Sequence, residues 1–419
     1  MSARTGRSTI VSDTDFDEET KMYDAIVIGA RCAGSPTAML LARQGHRVLV
    51  VDRATFPSDT MSTHLIRPPG LAALRRWGLL DDLLATGVPA CPSLRFDFGP
   101  VVLDGTPPPV DGLSMHYAPR RRVLDKLLLD AAIDAGVEVR EQTAVKDLLW
   151  EGERVNGVRL NRGGAREVEP RARIVIGADG LRSTVAEQVG ARTYHDQGML
   201  TCSYYSYWSA VEAPRLTLYS RPGGAIAEIP TQDGLTCICG CWPAAEDRTV
   251  RRDIEGAIAV AIAEHAPELS SRLRGGIRQE RFVGTGRIPN HFRQSHGPGW
   301  ALVGDAAYHK DPIGARGISD AFDDAERVAA AVHAGLTGQE SFDAALRGCQ
   351  AEREEASLAL YELDAQFAAL EAPPPELQAL IARVAGDQAA TDELIGVISG
   401  TVPVDDVLSP TGPSPAEVA

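Results

Sequence analysis

Lysine is scarce in this chain of 419 residues: Lys21, Lys126, Lys146 and Lys310 are all there is. Arginine brings the basic total to 42 against 57 acidic residues, a net charge of −15. So acidic a chain lacks the positive surface that a broad footprint on nucleic acid or an anionic membrane needs, and neither partner is expected. Also missing is any apolar run near the roughly 18 residues that a membrane span requires. Residues 1–21 are polar and mixed in charge, without the apolar stretch of a signal peptide. They read as a flexible tail, and a cytoplasmic location is expected. Seven cysteines, an odd number, argue against a disulfide framework. Cys237, Cys239 and Cys241 alternate in "LTCICGCW" and share one face of a strand. They read as small apolar residues of a half-buried strand rather than as a metal site, because metal sites favour wider gaps and usually add histidines. No metal is expected, and no Ser-His-Asp array is present.

What is present is ordinary for a globular protein: 44% hydrophobic and 24% charged residues, enough for two domains or one composite one. "DAIVI" reads as a buried strand, Ala33 to Gln44 as a helix and "HRVLVVD" as a second buried strand, together one βαβ unit. "RPPGLAALRRWGLLDDLLATG" is helical after its prolines, and Arg120 to Gly136 has apolar residues at helical spacing. From Val137 to Ile176 short alternating segments, broken by "EGERVNG" and "NRGG", predict a β-meander. Thr201 to Arg287 is rich in strand candidates around one helical piece near Asp253 to His265. From Ile318 to Gly400 the pattern is helical, broken at Pro373 to Pro375, and the end of the chain reads as a disordered tail.

Three turns carry the chemistry. The first is Gly29-Ala30-Arg31-Cys32-Ala33-Gly34 between strand and helix, with Asp52 and Arg53 closing the second strand. Such a turn aims free N–H groups and the positive end of a helix at a phosphate pair, and the carboxylate can bind ribose hydroxyls. As a fingerprint it has one letter changed: Arg31 stands where a glycine would let the backbone approach a pyrophosphate. As plain structure it is a βαβ turn. The second is "IGADGLRSTV", where Asp179 and Gly180 turn the chain and Ser183 can cap the helix that follows. The third is "GWALVGDAAYHKDPIGARGISDAFDDA", a strand ending in Gly304-Asp305, then Pro312 and a loop from Gly314 to Gly317 before a helix near Ile318. Loop N–H groups at a helix start stabilise negative charge on a ligand.

In this order and spacing the three motifs resemble the flavoprotein monooxygenases of the p-hydroxybenzoate hydroxylase fold, relatives of the geranylgeranyl reductases and flavin-dependent halogenases. The resemblance runs from Tyr23 to Gly400. It implies an α/β fold: a Rossmann-like FAD-binding domain of the glutathione reductase type, with a β-sheet substrate domain and a helical C-terminal extension. The expected boundaries are 22–90, 118–200 and 282–337 for the FAD-binding domain and 91–117 and 201–281 for the substrate domain. Helices are expected over 338–400 and tails over 1–21 and 401–419. By the same resemblance, Gly29 to Gly34 bind the FAD pyrophosphate and Asp52, with Arg53, stands at the adenine ribose. Arg121, with Arg122 as the alternative, lies near the phosphates. Asp179 and Gly180 sit near the cofactor, and Gly304 and Asp305 meet the ribityl chain. Pro312, Gly314, Ala315, Arg316, Gly317 and Ile318 lie beside the flavin ring. Two positions depart from the family pattern: Arg31, and Tyr308 where the family has a histidine.

The resemblance also narrows the chemistry. Halogenases of this family carry a W-x-W-x-I-P signature and a catalytic lysine; here "AIAEIP", Ala225 to Pro230, has alanine at both tryptophan positions, and none of the four lysines stands just after "FPSDTMSTHL", where the catalytic one is expected. Monooxygenation asks less of side chains: NADPH or NADH reduces the flavin, oxygen adds at C4a, and the distal oxygen passes to an aromatic or polyketide-like small molecule. A second glycine-rich βαβ unit for the nicotinamide is absent, as in the hydroxylases, where the donor binds transiently. The rivals are a double-bond reductase of the geranylgeranyl reductase kind and a flavin-binding sensor or assembly protein. The substrate is expected against the strands of Thr201 to Trp242, with either Tyr205 and Tyr207 or Tyr204 and Trp208 facing the flavin. His64, Arg67, His116, His309 and Pro312 are the other candidates for holding it. The C-terminal helices serve as a lid or as a dimer surface, so the chain is expected as a monomer or homodimer.

Overall fold

The computed structural model describes residues 22–161 and 167–408; both predicted tails, apart from residues 401–408, and residues 162–166 lie outside it. Its central sheet runs, in spatial order, His296–Gly297, Trp300–Leu302, Ala172–Gly177, Tyr23–Ile28, Val48–Val51 and Glu138–Arg140. All neighbours are parallel except the short edge strand His296–Gly297. The strand Tyr23–Ile28 is apolar almost throughout because both its faces are covered. On one face Ala25, Val27, Val48, Val50 and Ile176 pack under helices Gly34–Arg43, Pro68–Trp77, Arg121–Asp134 and Gly317–Thr337. On the other, Ile26, Ile28, Leu49 and Val175 meet a hairpin, Ala144–Glu151 with Arg154–Asn161.

That hairpin corrects the meander expected from Val137 to Ile176. Its first and last segments, Glu138–Arg140 and Ala172–Gly177, join the central sheet in parallel; the middle two pair with each other, and the second of them also meets residues 168–171 through isolated antiparallel bridges. Alternation along a short strand does not say which strand it will pair with.

The second sheet runs Ile277–Arg278, Thr201–Ser209, Thr236–Pro243, Gly224–Pro230, Leu216–Arg221, Leu94–Asp97 and Val102–Gly105, with Val283–Thr285 also paired to Thr201–Ser209. Its outer face packs Trp208, Tyr219, Ile226 and Ile238 against helices Ile254–His265 and Pro267–Leu273. Its inner face carries Tyr205, Tyr207, Cys237 and Cys241, continues through Leu94, Phe96 and Leu218, and is covered by helices Pro375–Val384 and Gln388–Ser399. The long helix Phe342–Ala368 lies against Gly317–Thr337. Where a tail was expected from residue 401, Val404–Leu408 adds one short helix. No helix among the described residues is long and apolar enough to cross a membrane.

Candidate active site

The three motifs meet because their strands are neighbours cut to one length. Ile28 is level with Val51 and Gly177, and Gly177 with Leu302, so Gly29, Asp52, Asp179 and Gly304 all leave the sheet at its carboxyl edge. In open α/β sheets this edge, at the point where strand order reverses, forms the ligand crevice. The turns are in contact. A Cβ on Gly29, whose φ is +105°, would lie 2.3 Å from the Ala178 carbonyl oxygen, and one on Gly34 would fall 1.8 Å from the Gly29 oxygen. A Cβ on Gly304 would approach the Ala33 Cβ to 2.7 Å. Glycine is therefore required where the first motif touches the second and third.

The donor set suits a diphosphate. Among the described residues the N–H groups of Arg31, Cys32 and Ala33 meet no acceptor, while the Ala30 N–H donates to Asp52 Oδ2 at 2.8 Å. Asp52 Oδ1 accepts from the Ala54 N–H at 2.7 Å, so its buried carboxylate braces the turn and keeps lone pairs on both oxygens. Arg53 is exposed. Arg31 neither floats in solvent nor blocks the turn. Its guanidinium lies 5.1 Å from the Phe56 ring centroid, donates to the Ser58 hydroxyl at 3.0 Å, and pairs with Asp125. Asp125 is wholly buried and also binds Arg121 at 2.9 Å and the Cys32 thiol at 3.4 Å. Two guanidiniums thus share one carboxylate, leaving one positive charge in excess beside the turn. Arg122 points elsewhere, to Asp233 at 2.8 Å.

Asp179 serves its own turn: it accepts from Ser183 Oγ at 2.6 Å and from the Thr184 N–H at 2.7 Å, and burial raises its pKa. Gly180 supplies the turn's positive φ, +76°. Asp305 is the opposite case, exposed and without a hydrogen bond among the described residues. Behind it the Gly304 N–H donates to Asp324 Oδ2 at 2.7 Å, and Asp324 pairs with the buried Arg353 at 2.6 Å. Tyr308 turns away, its ring stacked on Phe292 at 4.6 Å and its hydroxyl 3.1 Å from Asp320 Oδ2. The loop beyond begins with Pro312–Gly314 as one 3₁₀ turn and holds Ala315 in the left-handed region. Gly314 abuts the Asp364 carboxylate, and the N–H groups of Arg316 and Gly317 have no acceptor among the described residues just before Ile318.

On the inner face of the second sheet Tyr205 and Tyr207 turn toward the loop after the second strand; Tyr204 and Trp208 lie on the outer side. His64 Nε2 lies 2.6 Å from the Tyr207 hydroxyl, and the Ser62 N–H donates to the Tyr205 hydroxyl at 3.3 Å. Burial lowers the His64 pKa to about 3, so the imidazole is neutral, and its Nδ1 has no partner among the described residues. Arg120, which sequence reasoning passed over, stacks on Tyr207 at 3.8 Å and pairs with Asp59 and with Glu280 at 2.8 Å. Arg67 reaches the loop after Pro312 rather than open space: it donates to the Ala315 oxygen at 3.2 Å and to the Gly314 oxygen. His116 Nε2 meets Ser399 Oγ at 3.2 Å, and His309 Nδ1 meets the Pro289 oxygen at 2.6 Å. The three cysteines lie on this inner face, and burial raises the Cys237 thiol pKa. A separate cleft of about 960 Å³, lined by Leu79, Arg122, Leu127 and Ala135, involves none of the three turns.

Comparison with known proteins agrees with this geometry. A family model described as an FAD binding domain matches residues 22–362. The chain is 28% identical over 321 residues to a digeranylgeranylglycerophospholipid reductase of Methanosarcina mazei, covering 72% of each chain. It is 28% identical over 320 residues to the 6-methylpretetramide 4-monooxygenase of Streptomyces rimosus, covering 72% of this chain and 73% of that one. Among solved structures, a flavin-dependent brominase superposes with a TM-score of 0.80 at 21% identity, over 91% of this chain and 94% of that one, a likeness of fold alone.

Proposed function

The chain belongs to the FAD-binding-domain family and is an FAD-dependent oxidoreductase, and from that premise we propose that it is a monooxygenase that uses NADPH or NADH to oxygenate an aromatic or polyketide-like small molecule. The observation that carries the reading is the meeting of the three turns at one sheet edge, with N–H groups at the first turn and at the start of the helix Gly317–Thr337 that meet no acceptor among the described residues. In this reading the N–H groups of Arg31 to Ala33, with the guanidiniums of Arg31 and Arg121, hold the diphosphate. Gly29, Ala30, Cys32 and Gly34 shape the turn, and Asp52 and Arg53 meet the adenine ribose. Asp305 accepts from the ribityl hydroxyls, with Gly304 behind it and Asp179 and Gly180 fixing the neighbouring turn. The N–H groups of Arg316 and Gly317 and the start of the helix at Ile318 face the electron-rich edge of the ring, with Pro312, Gly314 and Ala315 beside it.

Bound FAD supplies hydride acceptance and oxygen activation. The chain's own work is to bind, orient and exclude water. Tyr205 and Tyr207 wall the substrate side. Neutral His64, held by Tyr207 at Nε2, offers its unpartnered Nδ1 as a hydrogen-bond partner to a substrate hydroxyl and so orients the ring. Arg67 holds the loop. The apolar inner face, with Leu65, Cys237 and Ile229, keeps water out.

The likeness to the digeranylgeranylglycerophospholipid reductase supports a second reading, reduction of an isoprenoid double bond. One experiment separates them. The purified protein should show a flavin spectrum, and an accepted aromatic should stimulate NAD(P)H oxidation in air and gain one oxygen atom. Saturation of a prenyl substrate under anaerobic conditions, without oxygenated product, would move the assignment to the reductase. A protein that binds no flavin would end both.

A further inference from the structure

The helix Gln388–Ser399 lies beyond the family segment, which ends at residue 362, yet its last turn enters the proposed site. Ser399 is completely buried. Its hydroxyl lies 3.4 Å from Arg67 Nη1 and 3.2 Å from His116 Nε2. Burial lowers the His116 pKa to about 3, so its ring is neutral; the hydroxyl can donate to it while accepting from Arg67. One residue earlier, the Ile398 carbonyl accepts from Arg316 Nη1 at 3.2 Å. Close packing holds the helix there. A Cβ on Gly105 would meet Asp392 Oδ1 at 2.6 Å, and one on Gly400 would meet the Arg316 guanidinium at 2.6 Å. The Thr106 N–H donates to Asp392 Oδ1 at 2.9 Å.

Every hydrogen bond of the Arg67 guanidinium goes to a neutral oxygen: Ala315 O, Gly314 O and Ser399 Oγ. Drawing two successive carbonyls of the loop toward one buried cation turns the opposite edge of those peptides, with their N–H groups, the other way. A fork with three acceptors has one orientation; with two, and no hydroxyl behind it, it gains freedom.

We propose that Ser399 is a positioning residue for the flavin-side loop, and that the helix it ends forms part of the cofactor site: Ser399 fixes Arg67, and Arg67 fixes the carbonyls of Gly314 and Ala315. The proposal rests on the FAD reading but is tested apart from it. Hydrogen exchange in the apoprotein needs no cofactor: Ser399→Ala should speed exchange at residues 314–318 several-fold while leaving residues 29–34 unchanged. In the holoprotein the same variant should weaken FAD about threefold to tenfold, as the loss of one charge-assisted hydrogen bond implies, and should shift the visible flavin bands. A chain ended after Ala385 should show the same changes, larger. Unchanged exchange at residues 314–318 in Ser399→Ala would overturn the proposal, as would wild-type FAD affinity and spectrum in both variants. Should the shortened chain not fold, the Ser399→Ala measurements still decide. Absence of FAD from the wild-type protein would sink the functional reading, not the exchange result.

Discussion

Asp305 offers an exposed carboxylate that no described residue binds, and its substitution therefore separates cofactor binding from folding. Asp305→Ala should leave the melting temperature of the apoprotein within the noise of a surface change, about 0.5 kcal/mol, while most of the bound FAD is lost. Equal flavin content in the two proteins, measured after denaturation and release, would remove Asp305 from the site. Asp125 makes the contrasting case. Its buried carboxylate is shared by Arg31 and Arg121, so Asp125→Asn leaves two neighbouring cations without their counter-charge. The expected cost is about 3 kcal/mol of apoprotein stability, read by urea unfolding, together with weaker FAD binding. Sequence alone located Arg31 in the turn but not what it reaches. The Arg121–Asp125 spacing of four on a helix was a local signal for that pair. Nothing local joined either residue to Arg31, because the contact spans 94 positions.

At the scale of elements, the junctions between turns carry the constraint. Gly304 sits at a φ of +61°, where a Cβ would press on Ala33. Gly304→Ala should cost about 1 kcal/mol for the left-handed backbone alone, and more for the contact. Because the displacement falls between the first and third motifs, FAD affinity should drop further than stability does. Comparing FAD titration with thermal unfolding on one sample checks this; a loss of stability with unchanged affinity would separate the junction from the cofactor groove. The first βαβ unit was legible because buried strands and a good helix write their periods into ten or so residues each. The segment after Val137 was not: Glu138–Arg140 is three residues long, and its partner is chosen by the helix before it rather than by its own alternation. The roles of Arg67 and His116 were hidden for a related reason, since both meet Ser399, from positions 332 and 283 residues away. The Asp-Gly turn at Asp179 shows the reverse: its capping of the following helix was readable from Ser183 and the turn chemistry, and the structure bears it out.

For the whole molecule, burial of neutral histidines sets the response to acid. His64 and His116 are lowered to about 3 and His291 to about 4, all chiefly by burial, and His46, His265 and His296 shift the same way. Below about pH 6.5 the unfolded chain takes up protons that these native rings refuse, so stability must fall as pH falls through that window. Asp311 and Asp323, pushed up to about 6 by burial, and Asp179 act in the opposite sense, since the native state then holds protons that the unfolded chain has released. The effect of Asp311 and Asp323 starts near pH 6, below where the histidines begin, and fewer groups act in this sense than in the other, so the net result is acid destabilisation. His64→Asn isolates one contribution. Asparagine tolerates the left-handed backbone that His64 adopts, at a φ of +63°, and cannot titrate. Urea unfolding of the apoprotein at pH 6.5, 5.5 and 4.5 should show the variant losing about 1 kcal/mol less than the parent over the first pH unit and about 1.3 kcal/mol less, close to one proton's worth, over the second. Parallel pH profiles would mean that His64 is protonated in the folded protein, and the neutral partner assigned to Tyr207 would have to be given up.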